Sequence, residues 1–316
     1  MKLNGYYKFF IILSLALLQT WIFYCLIYPE FYINGDNEFY QRAFNSIRNL
    51  PFSEAYQGFK KFGGSGDEPI SFAILYSASQ IMSYSTYFYV SNFIFIFFIG
   101  FVSSKLYKHW VAIYFLVAFS FYVFILKGLT QRLAIAFFFL MLSVMFQPRL
   151  LKLTFYSLSI LAHWQMIILF ISSNLADFLN NLFKGKIQTT FIFFLMLIVI
   201  VFYYFADTLL YKLNFYLGTF SLHSNAFLVL LWPLLLVFCG YKLSFENLLF
   251  FIITFTFAVF LASGRLNIVC FFYCIYLMRE NEQATLRFLM ILFPYFICKH
   301  YNFYMNYYHP GIIFGN

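Results

Sequence analysis

Apolar runs of membrane-spanning length, separated by short polar breaks, make up most of the 316-residue chain. The first run, 9–28, follows Lys2 and Lys8 and has about 20 residues, enough to cross a bilayer core. No small-residue cleavage site follows it, so it is expected to stay as a span. Later runs predict spans at 86–103, 110–126, 132–147, 189–206, 225–240, 247–262, 266–279 and 286–299. The stretch 150–183 is too long for one span, and division at His163 turns it into a short pair. The pattern therefore predicts an all-α polytopic membrane protein of about 10–12 transmembrane helices. These would form a single transmembrane domain over 1–316.

One long polar segment interrupts this pattern. The loop 29–68 holds six of the eleven acidic residues: Glu30, Asp36, Glu38, Glu54, Asp67 and Glu68. Asn34-Gly35-Asp36 is turn chemistry. Residues 37–50 then read as a short amphipathic helix, with Phe39, Ala43, Phe44 and Ile47 recurring at helical spacing. The glycines of 62–66 read as a hinge. Glu68-Pro69 opens a further helix over about 70–84, because Pro suits the first helical turn and acids suit its positive end. That helix carries several serines and reads as re-entrant or interfacial.

Composition sharpens the class. The chain is 63% hydrophobic and 10% charged, against about 25% charged in soluble domains. Its net charge is +9. The basic residues are scattered over short loops, which reads as topology and attraction to anionic lipid, not as a nucleic-acid site. The basic start and acidic loop place the N-terminus inside and 29–68 outside. All five cysteines lie in apolar runs without acids or histidines at ligand spacing, so no metal site is expected. No phosphate loop, dinucleotide fingerprint or zinc motif is present, and no cofactor is expected.

The candidate chemistry rests on polar residues in apolar surroundings, where they are costly. Arg132 stands at the mouth of a long apolar helix; its planar fork suits a phosphate or pyrophosphate, and the competing reading is an interfacial anchor. Arg265 stands between two spans with almost no loop. His163 interrupts an apolar run and is either a structural residue or a proton carrier. Asp36, Glu38, Asp67 and Glu68 are candidate bases, with a solvated loop and a helix cap as the plainer reading. Asp207, His223, His300 and His309 are weaker, and the aromatic tail around 300–310 suggests a lid or sugar-contacting strip.

Taken in order, these pieces resemble the EpsG family of Wzy-like polymerases, which build O-antigen, capsule and exopolysaccharide. The matching residues are Asp36-Asn37-Glu38-Phe39-Tyr40, Glu68-Pro69, Thr130-Gln131-Arg132-Leu133-Ala134, Leu161-Ala162-His163 and Ser263-Gly264-Arg265, followed by an aromatic tail. The resemblance covers most of the chain, and its specificity lies in order and spacing. It implies a metal-independent glycosyltransferase with a fold akin to the GT-C membrane enzymes. The enzyme would join undecaprenyl-pyrophosphate-linked repeat units at the outer, periplasmic face of the bacterial inner membrane. Arg132 and Arg265 would then face the pyrophosphate, and Tyr40 and Gln131 the substrate. Asp36, Glu68 or His163 would serve the attacking hydroxyl. Partners would be the lipid-linked glycan, membrane lipid and a chain-length regulator.

Four other readings share parts of this pattern: a flippase of lipid-linked glycan, a transferase adding one sugar from a lipid-phosphate donor, a ligase moving finished glycan to lipid A, and a membrane acyltransferase leaning on His163.

Overall fold

A computed structural model describes residues 5–27, 36–62, 68–128, 130–146, 148–163, 165–184, 224–260 and 263–308. The predicted span at 189–206 and the hinge glycines 63–66 lie outside them. The described residues are almost entirely helical, with fourteen α-helices and no strands. They divide into two compact units. The first comprises residues 1–163 and 279–316; the second comprises 164–278.

In the first unit, α1 (Gly5–Thr20) runs on into a π-helical stretch at Trp21–Ile27. It packs along α5 (Tyr84–Leu106). These are the two described helices long and apolar enough to cross a membrane on their own. They make the chain compatible with a membrane protein. Their approach is close at Gly100, where an added Cβ would lie 2.8 Å from Ile12 Cγ2 and 3.0 Å from the Tyr114 ring.

The run expected as one span at 110–126 is instead two helices, α6 (Trp110–Ala118) and α7 (Phe121–Gly128), bent by 53°. Counted as one broken span, they bring the number of described spans to three. The bend strands backbone groups that an unbroken helix would pair. Gln19 of α1 donates to the Ala118 carbonyl at 2.9 Å, and Ser120 Oγ accepts from Val123 N at 3.2 Å. Both polar residues are buried.

Residues 36–81 fold over the start of α5 as three short helices, α2 (Asp36–Ser46), α3 (Phe52–Phe62) and α4 (Pro69–Ile81). The buried stripe of α2 is Ala43, Phe44 and Ile47; Phe39, assigned to that stripe by spacing, is 60% exposed. Its place is taken by Tyr40, which packs on the same cluster. The unforeseen α3 buries Ala55 and Phe59, and Phe59 meets Phe72 of α4. The thirteen residues of α4 rise about 20 Å, short of a hydrocarbon core of about 30 Å. Ser83 then caps α5 by accepting from Thr86 N.

Next, α8 (Gln131–Met145) and α9 (Arg149–Ala162) form a tight helical hairpin, and α4 packs against both. Residues 279–308 return to this unit as α14 (Glu282–Tyr308), which packs on α6 and α7. Glu282 receives the backbone N–H of His109 and faces its ring at 3.2 Å.

The second unit holds α10 (Met166–Phe183), α11 (Ser224–Phe238), α12 (Phe245–Phe260) and α13 (Ser263–Leu277). Gly240, at φ 86°, ends α11: the N–H groups of 239–241 turn back onto the carbonyls of Leu235, Val237 and Leu236, a left-handed stop that glycine adopts without steric cost. Trp232 donates to Asn267 at 2.9 Å, and the Phe250 and Tyr273 rings stack at 3.7 Å.

Candidate functional site

Three polar residues from three helices meet in the first unit. Glu68 precedes Pro69, whose fixed φ starts α4. Its carbonyl accepts from Phe72 N in the first turn. Its side chain does not cap that helix, against the plainer reading of the sequence; it turns toward α8 and α9. There Oε1 lies 2.5 Å from His163 Nδ1, and Oε2 lies 2.8 Å from Arg132 Nη1. The guanidinium contact is close but lies off hydrogen-bonding angles. The Glu68 side chain is fully buried, and those of His163 and Arg132 are 7% and 14% exposed.

Each residue is delivered by a helix end. His163 is the residue on which α9 stops, its N–H still bonded to the Ser159 carbonyl. Arg132 lies in the first turn of α8, beyond a backbone turn closed by Thr130, whose N–H and hydroxyl both reach back to Ile125. Tyr40 covers Arg132 from α2. Its ring centroid is 5.7 Å from the guanidinium carbon, and its hydroxyl is 3.5 Å from Nε. That is cation–π range, worth about 0.5–2 kcal/mol depending on desolvation.

Energetics say what the cluster is not for. At an effective dielectric of about 20, two charges 2.8 Å apart attract by roughly 6 kcal/mol. Desolvating them costs several kcal/mol per ion. The pair is close to break-even, so fold stability does not account for it.

Chemistry says what it can do. A guanidinium stays protonated, and it lies beside the Glu68 carboxyl group. A neutral imidazole bonded through Nδ1 to a carboxylate donates there, which makes Nε2 the proton acceptor. Glu68 and His163 thus form an oriented acid–imidazole dyad of the kind that supports general-base chemistry. Arg132 adds a cation at its edge.

The other sequence candidates fall elsewhere. Gln131 is buried and directs its amide at the Tyr84 hydroxyl, 2.8 Å away, pinning the start of α8 to α5. Asp36 opens α2, but its side chain lies outside the described residues, as do Asp67, Trp164, Asp207, His223 and His309. Glu38 pairs with Arg42 on the exposed face of α2. Arg265 is half-buried in the first turn of α13, in the second unit. The His300 ring packs on Phe23, Phe121 and Phe124, within a helix that continues to Tyr308.

Two features escaped the sequence reading. Lys127 is buried with its ammonium 5.4 Å from the Phe95 ring centroid. Ser71 and Ser159 each bond a carbonyl of a neighbouring helix. A buried serine one turn from a polar residue was the available signal.

The described residues together define an almost entirely helical fold with apolar helices of membrane-crossing length and a buried Glu–His–Arg cluster. Searches against protein-family models, characterised proteins and solved structures find no match.

Proposed function

We propose that the chain is a polysaccharide polymerase. It joins undecaprenyl-pyrophosphate-linked oligosaccharide repeat units at the outer face of the bacterial inner membrane, with a GT-C-like membrane fold. The observation that carries this reading is the convergence of Glu68, His163 and Arg132, which offers a base, its orienting carboxylate and a phosphate-binding cation together. The residue motifs shared with Wzy-like polymerases support the same reading.

In this mechanism the acceptor sugar hydroxyl attacks C1 of the donor glycan. Its proton passes to His163 Nε2 as the C1–O bond to the pyrophosphate breaks. Glu68 stabilises the imidazolium through Nδ1. The pyrophosphate departs with the bonding electrons, and its growing charge is met by Arg132. Cations aimed at developing charge in a water-poor site are an effective means of lowering such a barrier. Tyr40 keeps the guanidinium in place and offers its ring to the sugars.

The test is deletion of the gene followed by electrophoresis of surface glycan. A polymerase deletion leaves single repeat units and no ladder. Loss of all surface glycan would overturn the reading in favour of a flippase or an earlier transferase.

A further inference from the structure

The cluster sits on three separate helices, so something must fix their relative positions to a fraction of an ångström. Two buried serines do so. Ser71 lies three residues after Glu68 on α4, and its hydroxyl donates to the Ala162 carbonyl at 2.7 Å, next to His163. Ser159 lies four residues before His163 on α9, and its hydroxyl donates to the Ala136 carbonyl at 2.7 Å. Ala136 is four residues after Arg132 on α8. Residues three or four apart share a helix face, so each bond lies one turn from a member of the cluster. One bond sets α4 against α9, the other α9 against α8. Both serines are at most 1% exposed. Two other buried helix serines, Ser79 and Ser143, bond a carbonyl of their own turn. Ser71 and Ser159 reach across.

We propose that Ser71 and Ser159 are positioning residues that set the Glu68–His163 and His163–Arg132 geometries by clamping α4 to α9 and α9 to α8. The two clamps act on the parts of the cluster unequally. Glu68 and His163 are buried and held at helix ends directly beside a clamp. The Arg132 guanidinium stands on a longer side chain, held by Glu68 and by the 3.5 Å contact and ring face of Tyr40. An arriving anion therefore exchanges with Glu68 for the guanidinium, while the carboxylate–imidazole bond stays in register. This deepens the proposed reading of the site, and only the activity arm of its test rests on that reading.

The experiment uses the full chain in lipid nanodiscs with 15N-labelled histidine. The five histidines are assigned by single replacement. Ser71→Ala and Ser159→Ala are expected to move the His163 Nδ1 resonance away from its carboxylate-bonded position. Ser143→Ala, which removes an equally buried hydroxyl bonded within its own helix at 2.7 Å, is expected to leave it in place. Ser71→Cys and Ser159→Cys leave no cavity but weaken the donor, and give a smaller shift in the same direction. With lipid-linked donor, the Ala variants lower kcat about ten- to a hundredfold, the scale of ångström misplacements, while KM stays within about twofold because the anion-binding guanidinium, on its longer side chain, keeps its own contacts with Glu68 and the Tyr40 ring. His163 resonances unchanged in the folded Cys variants, or moved as far by Ser143→Ala, would overturn the clamp. A shifted resonance in the variants of a chain that makes no polymer would keep the clamp and remove the polymerase reading.

Discussion

Glu68 Oε1 and His163 Nδ1 lie 2.5 Å apart although the two residues are 95 positions apart in the chain. The contact joins the residue just before α4 to the residue just after α9 and makes the carboxylate a shared partner of an imidazole and a guanidinium. Its consequences for stability and activity can be separated.

The ion pair is tested by a double-mutant cycle. Glu68→Ala leaves Arg132 without this counter-charge in a largely buried site, and losing one member of a buried pair costs about 3–5 kcal/mol. Arg132→Met alone leaves the carboxylate to His163. The double variant, Glu68→Ala with Arg132→Met, should recover part of the loss, because no buried charge of the pair remains. Melting in nanodiscs checks this. Simple additivity of the two single losses would show that the charges are not coupled.

Arg132 and Tyr40 form the second relationship. Arg132→Lys keeps the charge but loses the planar fork and the stacked ring, so glycan ladders should shorten by at least about tenfold in yield. Tyr40→Phe retains the ring face and loses only a hydroxyl contact at the 3.5 Å limit. It is expected to polymerise almost normally, whereas Tyr40→Ala is not. Equal activity of the Phe and Ala variants would remove the ring from the argument.

Arg265 offers a functional test in the second unit. Arg265→Ala is expected to abolish chain extension while the protein still inserts and melts near the parent temperature. Half-exposed charges contribute little to folding, about 0–1 kcal/mol. Long glycan from this variant would exclude Arg265 from pyrophosphate binding.

Gly100 predicts a packing defect remote from the site. Gly100→Ala gains up to about 1 kcal/mol of helix propensity but places a methyl 2.8 Å from Ile12 Cγ2, and overpacking typically costs about 1–3 kcal/mol. The variant should melt lower, and the loss should be smaller when Gly100→Ala is made in an Ile12→Ala background, where part of the methyl's path is clear. A Gly100→Ala protein as stable as the parent would mean that α1 and α5 can separate without cost.

The sequence made some of this legible and hid the rest for identifiable reasons. Glu68, Arg132 and His163 stood out because polar residues in apolar runs are expensive. Their convergence did not, since periodicity reports a residue's face and not its partner. Phe39 fits the helical spacing of α2, yet the buried position belongs to its neighbour Tyr40, whose hydroxyl can reach Arg132. The bend between α6 and α7 was invisible because 110–126 is almost uniformly apolar. The residue that satisfies the Ala118 carbonyl there, Gln19, is in α1. The serine clamps left only a faint trace, because a serine bonding its own turn and one bonding a neighbour look alike in sequence.

The second unit is inserted into the first, beginning at the peptide bond after His163 and ending where residue 279 rejoins it. During synthesis the three helices that carry Glu68, Arg132 and His163 are therefore complete before any of the insert has been made. The strap α14, with its Glu282 anchor at His109, is translated last. The helices α6 and α7 thus meet their C-terminal neighbour, α14, only after the second unit has been made.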